Sequence, residues 1–223
     1  MRRIAVLASG GGSNLQAILD HLAALGAAAP AAVTLVVSDR ADGYALERAR
    51  ARGVVAAHLP RSAPDDALER LLDEHRCDLV VLAGYLRLVP EPVVRRWSGR
   101  MLNIHPALLP AFGGHGMYGH RVHEAVLAAG VRLSGATVHF VNEQFDRGAI
   151  VAQWPVPVRP DDTVETLAQR VLAVEHRLYP WCVEAVARGD VRLDDDGHVH
   201  GSLPYAFPRF AVEGPRHPFV PDE

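Results

Sequence analysis

"RIAVLASGGGSNLQAILDHLAAL", residues 3–25, decides the fold. An apolar run, Ile4–Ala8, breaks at a glycine cluster, and beyond it Leu15, Ile18, Leu19, Leu22 and Leu25 recur at helical spacing. A continuous apolar run suits a strand buried on both faces. Apolar residues at i, i+3, i+4 and i+7 make one face of a helix. A strand, a glycine turn and a helix in that order open an α/β unit with a parallel sheet.

Working outward, the rhythm repeats. "AAVTLVVS" (31–38), "VVAAHL" (54–59), "DLVVLAG" (78–84) and "RMLNIH" (100–105) read as strands. Between them "YALERARARG" reads as a helix ended by Gly53, "APDDALERLLDEHR" as a helix opened by Pro64 with acids in its first turn, and "EPVVRRWS" as a short helix. This predicts a doubly wound, mostly parallel sheet. After residue 110 the pattern changes. "GGHGMYGH" reads as a loop and "RVHEAVLAAG" as a helix, while "SGATVHFVN" and "AIVAQWPVPV" alternate in period two, as antiparallel strands do. "TVETLAQRVLAVEHRLYPWCVEAVARG" reads as one long helix, capped at Thr163 with Thr166. A single domain over 1–190 is expected, followed by a turn and surface tail over 191–223 in which "HVH" (198–200) is a strand edge.

Composition narrows the chemistry. The chain has 223 residues, nearly half of them hydrophobic, and a net charge of −3, so neither nucleic acid nor a membrane surface is expected as a partner. All 23 basic residues are arginine. The absence of lysine excludes a Schiff-base lysine, a lysine general base and a P-loop lysine. Cys77 and Cys182 make no disulfide framework. No apolar run is long enough for a membrane span, and the glycine cluster interrupts the first run too early for a signal peptide, so a cytoplasmic protein is expected.

Three stretches carry candidate chemistry. "SGGGSN" (9–14) opens the first helix, where free N–H groups and the helix dipole suit a phosphate. The competing reading is a simple tight turn. A dinucleotide fingerprint lacks its third glycine, since Leu15 stands there, although Asp39 could imitate its ribose-binding acid. Asn103 and His105 share one face of a strand end. An amide N–H can hold a developing oxyanion and an imidazole can move a proton near neutral pH. A satisfied polar pair closing a strand fits equally well. Asp146, on the polar loop after "TVHFV", could orient or charge a histidine, or be a surface acid. If Asp146 partners His105, the histidine pKa is expected to be raised.

"LASGGGSNLQAI", "VVLAGYLRLV", "LNIHPALLPAF", "GATVHFVNEQFDRGAIVAQ" and "VLAVEHRLYP" occur in this order over residues 1–190. Together they resemble the phosphoribosylglycinamide formyltransferases, folate-dependent enzymes of purine biosynthesis. The resemblance implies a Rossmann-like formyltransferase fold and 10-formyltetrahydrofolate as co-substrate, with no metal. It implies catalytic roles for Asn103, His105 and Asp146. It implies that Gly12, Ser13, Asn14 and Glu175 bind phosphoribosylglycinamide. Folate contacts fall on Leu86, Arg87, Leu88, Val89, Asn103 and Asn142, with His139 close behind and Arg61 the nearest candidate for the folate tail. Small-molecule substrates and a monomer or homodimer follow. The Gly/His-rich loop at 113–120 departs from the commoner pattern. Its histidines, with His123, match no standard zinc spacing. Trp154, Trp181 and Tyr179 are expected to fill core rather than stack on a ligand. The rivals are less well matched. A methionyl-tRNA formyltransferase would need a second, basic domain, and a formyltetrahydrofolate hydrolase an N-terminal regulatory domain, whereas the first strand here begins at residue 3. A nicotinamide oxidoreductase meets the Leu15 problem, and a bare phosphate-binding module leaves the Asn, His and Asp without a role.

Overall fold

A computed structural model describes residues 1–201 and 203. One seven-stranded sheet organises them, in the order β3-β2-β1-β4-β5-β6-β7. Strands β1 (Arg2–Leu7), β2 (Ala31–Ser38), β3 (Val55–His58), β4 (Leu79–Leu82) and β5 (Met101–His105) are parallel. On the β5 edge, β6 (Leu133–Phe140) and β7 (Ile150–Pro157) are antiparallel. The expected doubly wound sheet with antiparallel later strands is the one found.

Both faces are covered, which explains the continuous apolar runs. Ile4, Val6, Leu79 and Val81 pack into one core with α1 (Ser13–Leu25), α2 (Tyr44–Ala51), α5 (His120–Ala128) and α6 (Val164–Arg188). The alternate residues Ala5, Leu7, Val80 and Leu82 pack with α3 (Ala67–Glu74) and α4 (Glu91–Arg96) on the other face. Helix α3 begins later than Pro64 because residues 64–66 form a turn, closed by the Ala67 N–H on the Pro64 carbonyl, and the first helical bond runs from Arg70 back to Asp66.

Helix α6 has the expected cap. Thr163 Oγ1 accepts from the Thr166 N–H, and the Thr166 hydroxyl accepts from the Thr163 N–H. The helix ends at Gly189, whose φ of 86° is left-handed. Tyr179 is fully buried, as expected of a core residue, and its hydroxyl donates to the carbonyls of Leu82 and Leu102 at 2.9 and 3.1 Å. This fastens α6 to the ends of β4 and β5. Beyond it, β8 (Val191–Leu193) and β9 (Val199–Gly201) form a hairpin, and Val191 is buried in the main core. The "HVH" stretch supplies the edge strand β9. The rest of the expected tail, residue 202 and residues 204–223, lies outside the described residues.

The strand order reverses direction between β1 and β4. The chain leaves β1 over one face of the sheet and leaves β4 over the other, so a crevice opens at their carboxyl ends.

Candidate active site

That crevice holds a cavity of about 520 Å³. Its walls come from the loop after β4, the end of β5, the loop into α5, the β6–β7 corner and α6. Asn103 and His105, two residues apart on β5, meet the distant Asp146 there.

Asp146 connects the group. Its Oδ2 accepts from the Gly114 N–H at 2.9 Å and lies 3.4 Å from His105 Nδ1. Its Oδ1 lies 3.5 Å from Asn103 Nδ2 and 3.7 Å from His139 Nε2. Its φ of 55° is left-handed, which Asp tolerates better than most residues. Burial works to raise the carboxyl pKa, but the His139 and His105 rings and the Gly114 N–H outweigh it and hold it below the usual carboxylate range.

The tautomers follow from the carbonyls that each ring meets. His105 Nε2 is 2.8 Å from the Phe112 carbonyl, so Nε2 carries the hydrogen and Nδ1 faces Asp146. His139 Nδ1 is 2.8 Å from the Phe140 carbonyl and donates to it. This leaves His139 Nε2 to accept from Asn103 Nδ2 at 3.1 Å. The expected rise in the His105 pKa is not found. The ring is 3 % exposed, and burial lowers its pKa by more than Asp146 and the Phe112 carbonyl raise it. A buried imidazole loses more hydration on charging than one carboxylate 3.4 Å away returns.

Asn14 and Glu175 line the same cavity. Asn14 Nδ2 donates to Glu175 Oε2 at 2.7 Å across 161 residues of sequence. Burial pushes the Glu175 carboxyl up to about 7, against the opposing hydrogen bond from Asn14. Asn14 Oδ1 is buried with no partner. Gly12 and Ser13 start α1 beside them but do not line the cavity. Gly12 has a left-handed φ of 69°, and a Cβ there would stand 2.8 Å from the Ala45 Cβ. Leu86, Arg87, Leu88, Val89 and Asn142 all line the cavity, and Leu86 and Leu88 are about half exposed. Arg61 is exposed and outside the wall, and Arg87 Nη1 is spent on the Leu59 and Pro60 carbonyls at 3.4 Å.

Several residues of the site escape a reading of the sequence. The Phe112 carbonyl and the Gly114 N–H act through the main chain, which residue types do not announce. Phe112 has a φ of 55°, rare for so bulky a residue, and the two glycines after it are the one signal of an unusual backbone. His123 lies in the wall, buried. Burial, with His120 and His105 nearby, pushes its pKa down to about 4. His115 also lines the cavity and meets the Phe145 ring edge-on at 5.7 Å.

A switch-point crevice with an amide, an imidazole and a carboxylate converging at its end suits transfer of a small acyl group to a nucleophile. Over residues 2–183 the chain matches the formyl transferase family, and it belongs to that family. Within it, the chain is 39% identical to the phosphoribosylglycinamide formyltransferase of Haemophilus influenzae, over 88% of this chain and 92% of that one. It is 46% identical to the glycinamide ribonucleotide transformylase 1 of Symbiobacterium toebii, whose crystal structure superposes with a TM-score of 0.81 over 90% of this chain and 93% of that one. It is also 43% identical to the bovine trifunctional purine biosynthetic protein adenosine-3, over 88% of this chain, and spans 19% of that protein's length.

Proposed function

We propose that this protein transfers the formyl group of 10-formyltetrahydrofolate to the amine of 5′-phosphoribosylglycinamide, a step of purine biosynthesis. The observation that carries the reading is the convergence of Asn103, His105 and Asp146 in a cavity that Asn14 and Glu175 also line. Relatives named for this activity, of matching length, support it.

The chemistry needs no enzyme nucleophile. The substrate amine attacks the formyl carbon, a C–N bond forms, and the carbonyl oxygen becomes an oxyanion. One amide hydrogen of Asn103 is held by His139. The other faces Asp146 at 3.5 Å, too long for a strong bond, and is left to serve the oxyanion. His105 takes up the amine proton at Nδ1, because Nε2 is fixed on the Phe112 carbonyl. Asp146 stabilises the imidazolium while it lasts. Collapse of the intermediate breaks the bond from the formyl carbon to N10 of the folate, and the proton ends on N10. Gly12, Ser13, Asn14 and Glu175 bind the phosphoribosyl end. The backbone of Leu86–Val89, with Asn103 and Asn142, receives the pterin.

The transferring unit comprises residues 1–190, and the β8–β9 hairpin follows it. It works on small molecules without a metal, as a monomer or homodimer, in the cytoplasm. In support, no described helix is long and apolar enough to cross a membrane, and both cysteines are free and buried.

The test is direct. The protein is mixed with phosphoribosylglycinamide and 10-formyltetrahydrofolate, and tetrahydrofolate is followed. Removing one oxyanion donor costs about 10²–10³ in rate, so Asn103→Ala should lose that much and Asn103→Asp more. Both substrate dissociation constants should move far less, because the contact strengthens in the transition state. Turnover within a few-fold of the parent in both variants would mean that Asn103 merely closes a strand.

A further inference from the structure

The backbone of the glycine turn offers donors but no formal charge, and a phosphate monoester is largely a dianion at neutral pH. Helix α1 has no acidic residue in its first turn to repel one. The cation comes from the neighbouring helix. Arg48, on α2, lies against the turn: its Nε donates to the Gly11 carbonyl at 2.8 Å and its Nη1 to Gln16 Oε1 at 3.0 Å. Its guanidinium also lies 4.9 Å from the centre of the Tyr44 ring.

Two features set Arg48 apart from the arginines around it. Arg50 and Arg52 are paired with the carboxylates of Glu47 and Asp20. The acceptors that hold Arg48 are neutral, and among the described residues no carboxylate pairs with it. Its charge is therefore not cancelled locally, and Nη2 keeps its donors. A second observation points to a ligand on the same helix end. Asn14 is 9 % exposed, its Oδ1 has no partner, and it lies in the cavity wall beside Glu175. Buried acceptors in native proteins are rarely left unpaired, and a ligand hydroxyl would satisfy this one. A cation beside the turn and an orphan acceptor one step into the helix together fit a phosphorylated sugar.

We infer that Arg48 is the phosphate-binding cation of this site, holding the glycine turn through Nε and Nη1 and offering Nη2 to the phosphate. The inference deepens the proposed function and rests on its placement of the phosphoribosyl end. It accounts for how a chain without lysine can bind a dianion at a turn built of glycine.

The test uses ribose 5-phosphate, with ribose as control, titrated into the protein while the backbone amides of residues 10–14 are followed by NMR. The same variants are then assayed for formyl transfer. Ribose 5-phosphate should shift these amides and ribose should not. Arg48→Met keeps the stem and removes the charge. It should weaken ribose 5-phosphate by about tenfold or more, the scale of one charge-assisted hydrogen bond. It should raise KM for the ribonucleotide to a similar degree and flatten its dependence on salt, leaving KM for the folate within about twofold. Arg48→Lys should recover most of the affinity. The assignment is overturned if Arg48→Met binds ribose 5-phosphate within about twofold of the parent. It is equally overturned if Arg48→Lys fails as badly as Arg48→Met and folate affinity falls with it, which would make Arg48 a brace for the turn. If the parent binds ribose 5-phosphate through Arg48 yet transfers no formyl group, the proposed function fails and the phosphate assignment stands.

Discussion

His105 shows how far one residue's behaviour depends on its surroundings. Its spacing from Asn103 was legible, because residues two apart on a strand share a face. The sign of its pKa shift was not, since that depends on buried depth and on a carboxylate 41 positions away in the chain. A neutral His105 at neutral pH is the form that can accept a proton from an attacking amine. Asp146 still matters, because its charge is the nearest one opposing the effect of burial. Asp146→Asn should therefore push the His105 pKa lower still and cost about a hundredfold in turnover. NMR titration of the ring beside steady-state kinetics checks both parts. An unchanged pKa would separate Asp146 from the histidine altogether.

Among the elements, α6 was read most completely from the sequence, and it also holds the site together. Its 25 residues carry the apolar periodicity of a long helix, a Thr163–Thr166 cap and a terminal glycine. The same helix brings Glu175 to Asn14 and fastens the ends of β4 and β5 through the Tyr179 hydroxyl. Tyr179→Phe leaves two buried carbonyls without this donor and should cost about 1–3 kcal/mol. Chemical denaturation measures it, and a loss well under that would mean that the strands need no such tie. The boundary at α3 was less legible. A Pro followed by two acids signals a helix start and a turn equally well, and here the turn wins by about one helical turn of chain. The segment after β5 was least legible of all. Its contribution comes from main-chain groups of Phe112 and Gly114, and no periodicity encodes these.

At the scale of the whole molecule, the buried histidines whose pKa is lowered are acid-labile points. His123 is the clearest. Its pKa of about 4 lies below the ordinary value of 6.5, so as pH falls the unfolded chain takes up the proton first. The associated stability is present above 6.5 and is lost as pH drops toward 4. His105, also lowered, adds to the same window. His123→Leu should thus lose less stability than the parent between pH 7 and pH 4.5, as measured by denaturant midpoints across that range. Equal pH slopes for the two proteins would show that His123 titrates freely. At this scale the two levels of information separate. The sequence alone determined the alternation of strands and helices, the change to antiparallel strands after residue 110, and the glycine turn at the start of α1. All of these rest on local periodicity and backbone preference, which act over a few residues. The tertiary structure alone decided that Asn14 meets Glu175, that Arg48 leans on the glycine turn, and that the His105 pKa is lowered. Each of these depends on which groups long-range packing brings within a few ångströms and how much water it removes from them.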